Sequence, residues 1–153
     1  MLIIKYSLIY SKYNPETGVS KVWIKNRYGT FMGKSRLHKE DKDYASSYAG
    51  CRFAEMKAII KTYKRKVQDL KLRLKELMYF QTMLEQTKGY NSESVEARKL
   101  RKRIYLLKEE IKNEEHNIDV YEENFQKEIK QRDASIKFLR EFQKKKSELN
   151  KND

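Results

Sequence analysis

The residues best suited to chemistry in this chain are cationic and aromatic, and they are interleaved. Between positions 5 and 39 stand Lys5, Lys12, Lys21, Lys25, Arg27, Lys34, Arg36 and Lys39, with Glu16 the one acid among them. Tyr6, Tyr10, Tyr13, Trp23, Tyr28 and Phe31 lie between these cations. Ammonium and guanidinium groups neutralise phosphates, and an exposed ring offers an unpaired base a stacking surface worth about 1–3 kcal/mol. A second cationic run, RKLRKR, supplies Arg98, Lys99, Arg101, Lys102 and Arg103, and a third supplies Lys144, Lys145 and Lys146. The net charge of +13 points to phosphate-rich partners, anionic membranes or an acidic protein surface. The candidate contact set is Lys5, Lys21, Trp23, Lys25, Arg27, Lys34 and Arg36 together with Arg98, Lys99, Arg101, Lys102 and Arg103. Trp23 reads in two ways: a ring presented to a nucleotide or partner, or a cover over a neighbouring helix with Lys21 and Lys25 reaching past it.

Catalytic and metal chemistry find less support. His38, His116 and Cys51 are scattered, whereas a structural zinc site needs four ligands at close spacing. A Cys51–His38 nucleophile and base is outweighed by the commoner role of a small cysteine at a helix start. GTFMG, residues 29–33, lacks the spacing and the Lys-Ser/Thr pair of a phosphate loop. Glu114 and Glu115 fall on a solvated or salt-bridged helix surface, with no pocket to shift them. The expectation is a protein without catalysis, metal or cofactor.

The elements that must carry the cations follow from periodicity. LIIKYSLIYSKY alternates, placing Leu2, Ile4, Tyr6, Leu8 and Tyr10 on one face, with Tyr6 and Tyr10 read as core. Asn14, Pro15 and Gly18 give NPETG the composition of a hairpin loop with a bulge. SKVWIKN puts Val22 and Ile24 opposite Lys21, Trp23 and Lys25, and YGTFMGKSRL follows a turn at residues 26–29 as a third strand. From Phe53 the period changes. Met56, Ile60, Tyr63, Val67, Leu70, Leu74, Leu77 and Leu84 form one seam, and Ala97, Leu100, Ile104, Leu107, Ile111, Ile118, Tyr121 and Phe125 a second. The short TKGYNSES between them makes the helices antiparallel neighbours, pairing Leu84 with Ala97 through to Met56 with Phe125.

The fold class is therefore α+β: an N-terminal antiparallel β-meander of two or three strands over residues 1–45, and a long antiparallel helical hairpin of coiled-coil type over residues 46–153. Helix one is expected from Ser47 to Thr87, capped by Ser46 or Ser47 behind Glu40, Asp41 and Asp43. Helix two is expected from Ser92 or Glu93 to Lys146. A phase shift at Tyr121, Phe125 and Ile129 turns the apolar face, so that Ile129, Ile136, Leu139 and Phe142 would overhang and pack beneath the meander against Leu2, Ile4, Leu8, Val22 and Ile24. The alternative is an overhang that homodimerises. Lys57, Lys61, Lys64, Arg65, Lys66, Lys71, Arg73 and Lys75 are expected to pair across the hairpin with Glu109, Glu110, Glu114, Glu115, Asp119, Glu122 and Glu123. That leaves positive charge unbalanced in the meander, at RKLRKR and in the tail.

Residues 1–10 read as a strand and not a signal peptide, since Lys5 interrupts the apolar run and no small-residue cleavage site follows. No uncharged stretch approaches the roughly 20 residues of a membrane span. The lone Cys51 suits a reducing compartment, so a cytoplasmic setting without membrane contact is expected. Residues 33–64, GKSRLHKEDKDYASSYAGCRFAEMKAIIKTYK, resemble a junction in small phage and mobile-element proteins of low-GC Gram-positive bacteria. The resembling positions are Gly33, Arg36, His38, Asp41, Asp43, Gly50, Cys51, Ala54 and Glu55. The resemblance implies a non-enzymatic protein that binds nucleic acid (RNA or DNA) or a host nuclease–nucleic acid complex, including anti-CRISPR-like inhibitors. A different class also fits the periodicity: an architectural coiled-coil adaptor that homodimerises or docks a partner helix.

Overall fold

The computed structural model describes residues 4–36 and 47–151. His38, Lys39 and the acidic run at 40–43 lie outside them, as do Leu2 and the cap expected at Ser46. The order is β1 (Ser7–Asn14), β2 (Val19–Asn26), β3 (Gly29–Arg36), α1 (Ser47–Glu85) and α2 (Val95–Lys151), with the strands forming one antiparallel sheet in the order β1-β2-β3. The fold is α+β, and the meander has three strands. Two compact units divide it: residues 1–62 with 121–153, and residues 63–120.

In the first unit, the turns set the register. Asn14 Oδ1 accepts from the amides of Glu16 and Thr17 at 2.9 and 3.4 Å, and Gly18, at φ 70°, returns the chain after four loop residues. Asn14 therefore faces Val19. The second turn has two residues, Arg27 and Tyr28, so Asn26 faces Gly29. The irregularity in the β1–β2 ladder falls between Leu8 and Tyr10, away from the loop where a bulge was expected. It spoils the alternation of β1. Leu8 and Tyr10, read as core, are 55% and 54% exposed, and Tyr6 is exposed as well.

The inner face of β2 is buried by α1. Ser20, Val22, Ile24 and Asn26 recur every two residues, a rise of about 6.7 Å, and meet Gly50, Ala54, Ala58 and Thr62, which recur every four, a rise of about 6 Å. The two periods nearly match, so small helix residues meet strand residues over three steps. Gly50 abuts Ser20, Val22 and Ile24 cluster with Ala54 and Ala58, and Asn26 Nδ2 donates to Thr62 Oγ1 at 2.9 Å. Gly33, paired with Val22 on β3, completes the approach: a β-carbon there would overlap the Ala54 carbonyl oxygen and stand 2.9 Å from the Ala58 nitrogen. The sheet thus rests on α1 through small side chains. This corrects the expectation that late α2 residues underlie Val22 and Ile24. Ile129 instead packs beside Tyr121 on the cluster of Phe53, Met56, Ile60 and Phe125, while Leu139 and Phe142 are exposed and Ile136 is only 5% exposed.

Two helix lysines serve the sheet edge. Lys57 Nζ donates to the Lys34 carbonyl at 2.9 Å and Lys61 Nζ to the Met32 carbonyl at 2.6 Å. Their four-residue spacing matches the two-residue spacing of the edge carbonyls on β3, and the edge is covered rather than left open to another strand. These lysines were expected to face carboxylates on helix two. They face backbone instead. In the same unit Arg52 forms two bonds to Glu128, at 3.0 and 3.1 Å, which hold that carboxyl below its ordinary range. The Phe53 ring lies edge-on to Phe125 at 5.9 Å with the Arg132 guanidinium 4.7 Å away.

The second unit is an antiparallel helix pair. Tyr63, Val67 and Leu70 are buried with Ala97, Leu100, Ile104, Leu107, Ile111 and Ile118. α1 ends two residues earlier than expected. α2 begins at Val95 because Ser94 is the cap, its Oγ accepting from the Ala97 amide at 3.2 Å. Lys66 Nζ meets Glu114 Oε1 at 2.9 Å, with side chains only 12% and 13% exposed, and Lys71 meets Glu115 at 2.8 Å. Glu114, expected on a solvated or salt-bridged surface and opposite the helix-one lysines, is salt-bridged to Lys66 and occupies the seam step between Ile111 and Ile118. A buried ion pair in a seam fixes register, since a slip would strand both charges. Arg65 pairs with Asp69 of its own helix at 3.3 Å and not across the hairpin.

Candidate nucleic-acid interface

The outer face of the sheet gathers cations in a row across the strands. Lys12 on β1 faces Lys21 on β2, and Lys21 faces Lys34 on β3, so three lysines stand side by side over about 10 Å. Like charges directly opposite each other on a sheet are destabilising. Among the described residues none of the three ammonium groups has a carboxylate partner. Lys12, Lys21 and Lys34 line a cleft of about 260 Å³ with Asn14, Thr17 and Val19, and among the described residues no carboxylate lines it.

The adjoining row on the same face is apolar. Tyr10, Trp23 and Met32 are register partners, and the rings of Tyr10 and Trp23 lie 5.4 Å apart at 44°. Tyr10 is exposed and Trp23 half-buried. Tyr10 reaches Trp23 in unbroken register from the Asn14–Val19 end of the hairpin, and the irregularity lies on the far side of it, between Tyr10 and Leu8. Beyond this row Ser7, Lys25 and Thr30 are paired. The face therefore presents ammonium groups, then rings, then a further lysine, in one plane.

The candidate residues read from sequence fall into three groups. Lys21, Trp23, Lys25 and Lys34 share the outer face. Lys5 precedes β1, Arg27 occupies the second turn with its guanidinium 4.9 Å from the Tyr28 ring, and Arg36 ends β3 opposite Val19. Arg98, Lys99, Arg101, Lys102 and Arg103 belong to the other compact unit, all exposed on α2, with Arg98 bonded to Glu93 at 2.7 Å. Two residues outside the original set complete the face: Lys12 and Tyr10. Loop length could have identified both. Four residues between Asn14 and Val19 bring 12 opposite 21, and two residues between Asn26 and Gly29 bring 21 opposite 34.

Cys51 is half-buried against the Val22, Ile24, Ala54 and Ala58 cluster, and His116 is exposed on α2. No group of three or more His, Cys, Asp or Glu side chains is arranged to hold a metal ion among the described residues. Among them, no helix is long and apolar enough to cross a membrane. No protein-family model matches the chain, and neither a curated protein nor a solved structure matches it.

Proposed function

We propose that this is a non-catalytic nucleic-acid-binding protein that uses the outer face of its sheet as the contact surface. The observation that carries the reading is the row Lys12, Lys21 and Lys34: a like-charged arrangement without carboxylate partners among the described residues, which disfavours the fold and which a polyanion would relieve. In the phage-type setting implied by the resemblance of residues 33–64, the nucleic acid would belong to a host nuclease complex, which the protein would obstruct. The resembling positions Gly33, Gly50, Cys51 and Ala54 line the sheet–helix junction, so they support a shared junction and not a target. Titration of the full chain with oligonucleotides at 50 and 200 mM salt tests the proposal. Three phosphate contacts on a single strand predict about a twenty-fold loss of affinity across that range. Absence of binding at 50 mM salt rejects it.

A second reading has its own observation. Phe138, Phe142 and Leu149 are exposed along one stripe of α2, and every described residue from 141 onward is exposed. A coiled-coil adaptor would use that stripe for a second copy or a partner helix. Light scattering separates the readings: a dimer that Phe142→Asp dissociates supports the adaptor, and a monomer rejects its homodimeric form.

A further inference from the structure

We infer that the outer sheet face takes single-stranded nucleic acid, with a backbone phosphate seated among Lys12, Lys21 and Lys34 and a base stacked on the Tyr10–Trp23 pair. This rests on the nucleic-acid reading above and narrows it to one strand form and one seat. Charge alone would serve duplex and single strand alike. The rings decide between them. In a duplex the π-faces of the bases are occupied by their neighbours, so the exposed Tyr10 ring and the half-buried Trp23 ring beside it have no free base to stack on. An unpaired strand can turn a base onto Trp23 while its phosphate remains beside the lysines one register row away. That row-to-row step is two residues along β2, about 6.7 Å, which a nucleotide can span. Asn14 and Thr17, on the cleft wall, add neutral hydrogen-bonding groups that suit a phosphate oxygen or a sugar hydroxyl. Ser20, Val22 and Ile24 are committed to α1, so the inner face offers no comparable seat.

Trp23 is the only tryptophan in the chain, so its emission reports on this seat alone. The experiment titrates the full protein at 50 mM salt with a 20-nucleotide single-stranded RNA, the matching single-stranded DNA, the duplex of that DNA, and inorganic polyphosphate, following both binding and Trp23 emission. Saturable quenching by a single strand, with the duplex bound at least ten-fold more weakly, supports the inference. The tighter of the RNA and DNA arms names the source. Replacing Lys12, Lys21 and Lys34 together by Gln should lower single-strand affinity at least ten-fold and make the salt slope shallower by about 2. Circular dichroism checks that this variant folds; should it not, the wild-type quenching and duplex comparison still decide. Single-strand binding that leaves Trp23 emission unchanged overturns the seat while leaving the general reading intact, as does equal affinity for duplex. Polyphosphate binding as tight as the oligonucleotide's reduces the site to a phosphate seat without a base platform and also overturns it. Failure of every nucleic acid to bind removes both proposals.

Discussion

The two faces of β2 have the same backbone and opposite circumstances. On the inner face Ser20, Val22, Ile24 and Asn26 meet Gly50, Ala54, Ala58 and Thr62 at matched spacing. On the outer face Lys21 has lysines on both sides, and Trp23 lies beside the ring of Tyr10. The inner arrangement is accounted for by burial, since apolar area leaves water and the helix approaches closely. The outer arrangement has no such return. A sheet needing only solubility would alternate acids with its lysines, as the hairpin does where Lys66 meets Glu114 and Lys71 meets Glu115. Lys66 and Lys71 are neutralised across the helix pair, where they fix its register, whereas Lys12, Lys21 and Lys34 have no carboxylate partner among the described residues.

The largest test breaks the inner face. Gly33→Ala places a methyl group against the Ala54 carbonyl oxygen and the Ala58 nitrogen, both helix backbone that cannot rotate aside. The sheet or α1 must move, and the variant should lose at least about 3 kcal/mol of stability, measured by urea unfolding. A loss under about 1 kcal/mol would show that the sheet does not seat on α1 this closely. A second pair of variants separates buried from exposed positions on late α2. Ile136→Asp puts a charge at a site 5% exposed and should cost about 3 kcal/mol, whereas Phe142→Asp, at 57% exposed, should stay within about 0.5 kcal/mol in the monomer. Ile136 is thus the wrong position at which to probe self-association, because the substitution destabilises the monomer as well as any dimer.

The outer face yields a smaller effect of opposite sign. Lys21→Gln removes the central charge of the row and with it both like-charge contacts, and should raise stability by about 0.5–1 kcal/mol at low salt. The gain should shrink in 1 M salt, where the Debye length falls to about 3 Å. A destabilised variant would mean that Lys21 holds the sheet together, and the contrast between the faces would fail.

Much of the fold was legible from period. Val22 and Ile24 announce the inner face by alternation, and the helix seams by steps of three and four. The small-residue stripe Gly50, Ala54, Ala58 and Thr62 is equally visible, yet small residues are weak hydrophobic signals and the large side chains of late α2 outweigh them as a sheet partner in the sequence. Strict alternation puts Leu8 and Tyr10 on one face, but the extra residue between them leaves Leu8 opposite inner-face Ile24 and Tyr10 opposite outer-face Trp23, and nothing in LIIKYSLIYSKY marks where it falls. The lysine row depended on register, which two loop lengths determine jointly. Single lysines could be listed from sequence, but their alignment across three strands could not until both turns were known.

The smallest effect concerns the two tyrosines that precede this row, and it sharpens the contrast from the other side. Tyr6 and Tyr10 both read as core; Tyr10 lies on the outer face, while the Tyr6 hydroxyl donates to Glu55 Oε1 on α1 at 2.5 Å. Burial first, then this bond and the charge of Glu55, push the Tyr6 phenol up to about 12. Its folded value lies above the ordinary value of 10, so between pH 10 and 12 the folded chain keeps a proton that the unfolded chain has lost. The stabilisation is complete below pH 10 and disappears as pH rises through 12. In an ultraviolet alkaline titration, the difference between wild type and Tyr6→Phe should show one phenolate transition near 12, and Glu55→Gln should move it down toward 10. A Tyr6 transition at 10 in the wild type would mean that the segment before β1 is not tied to α1.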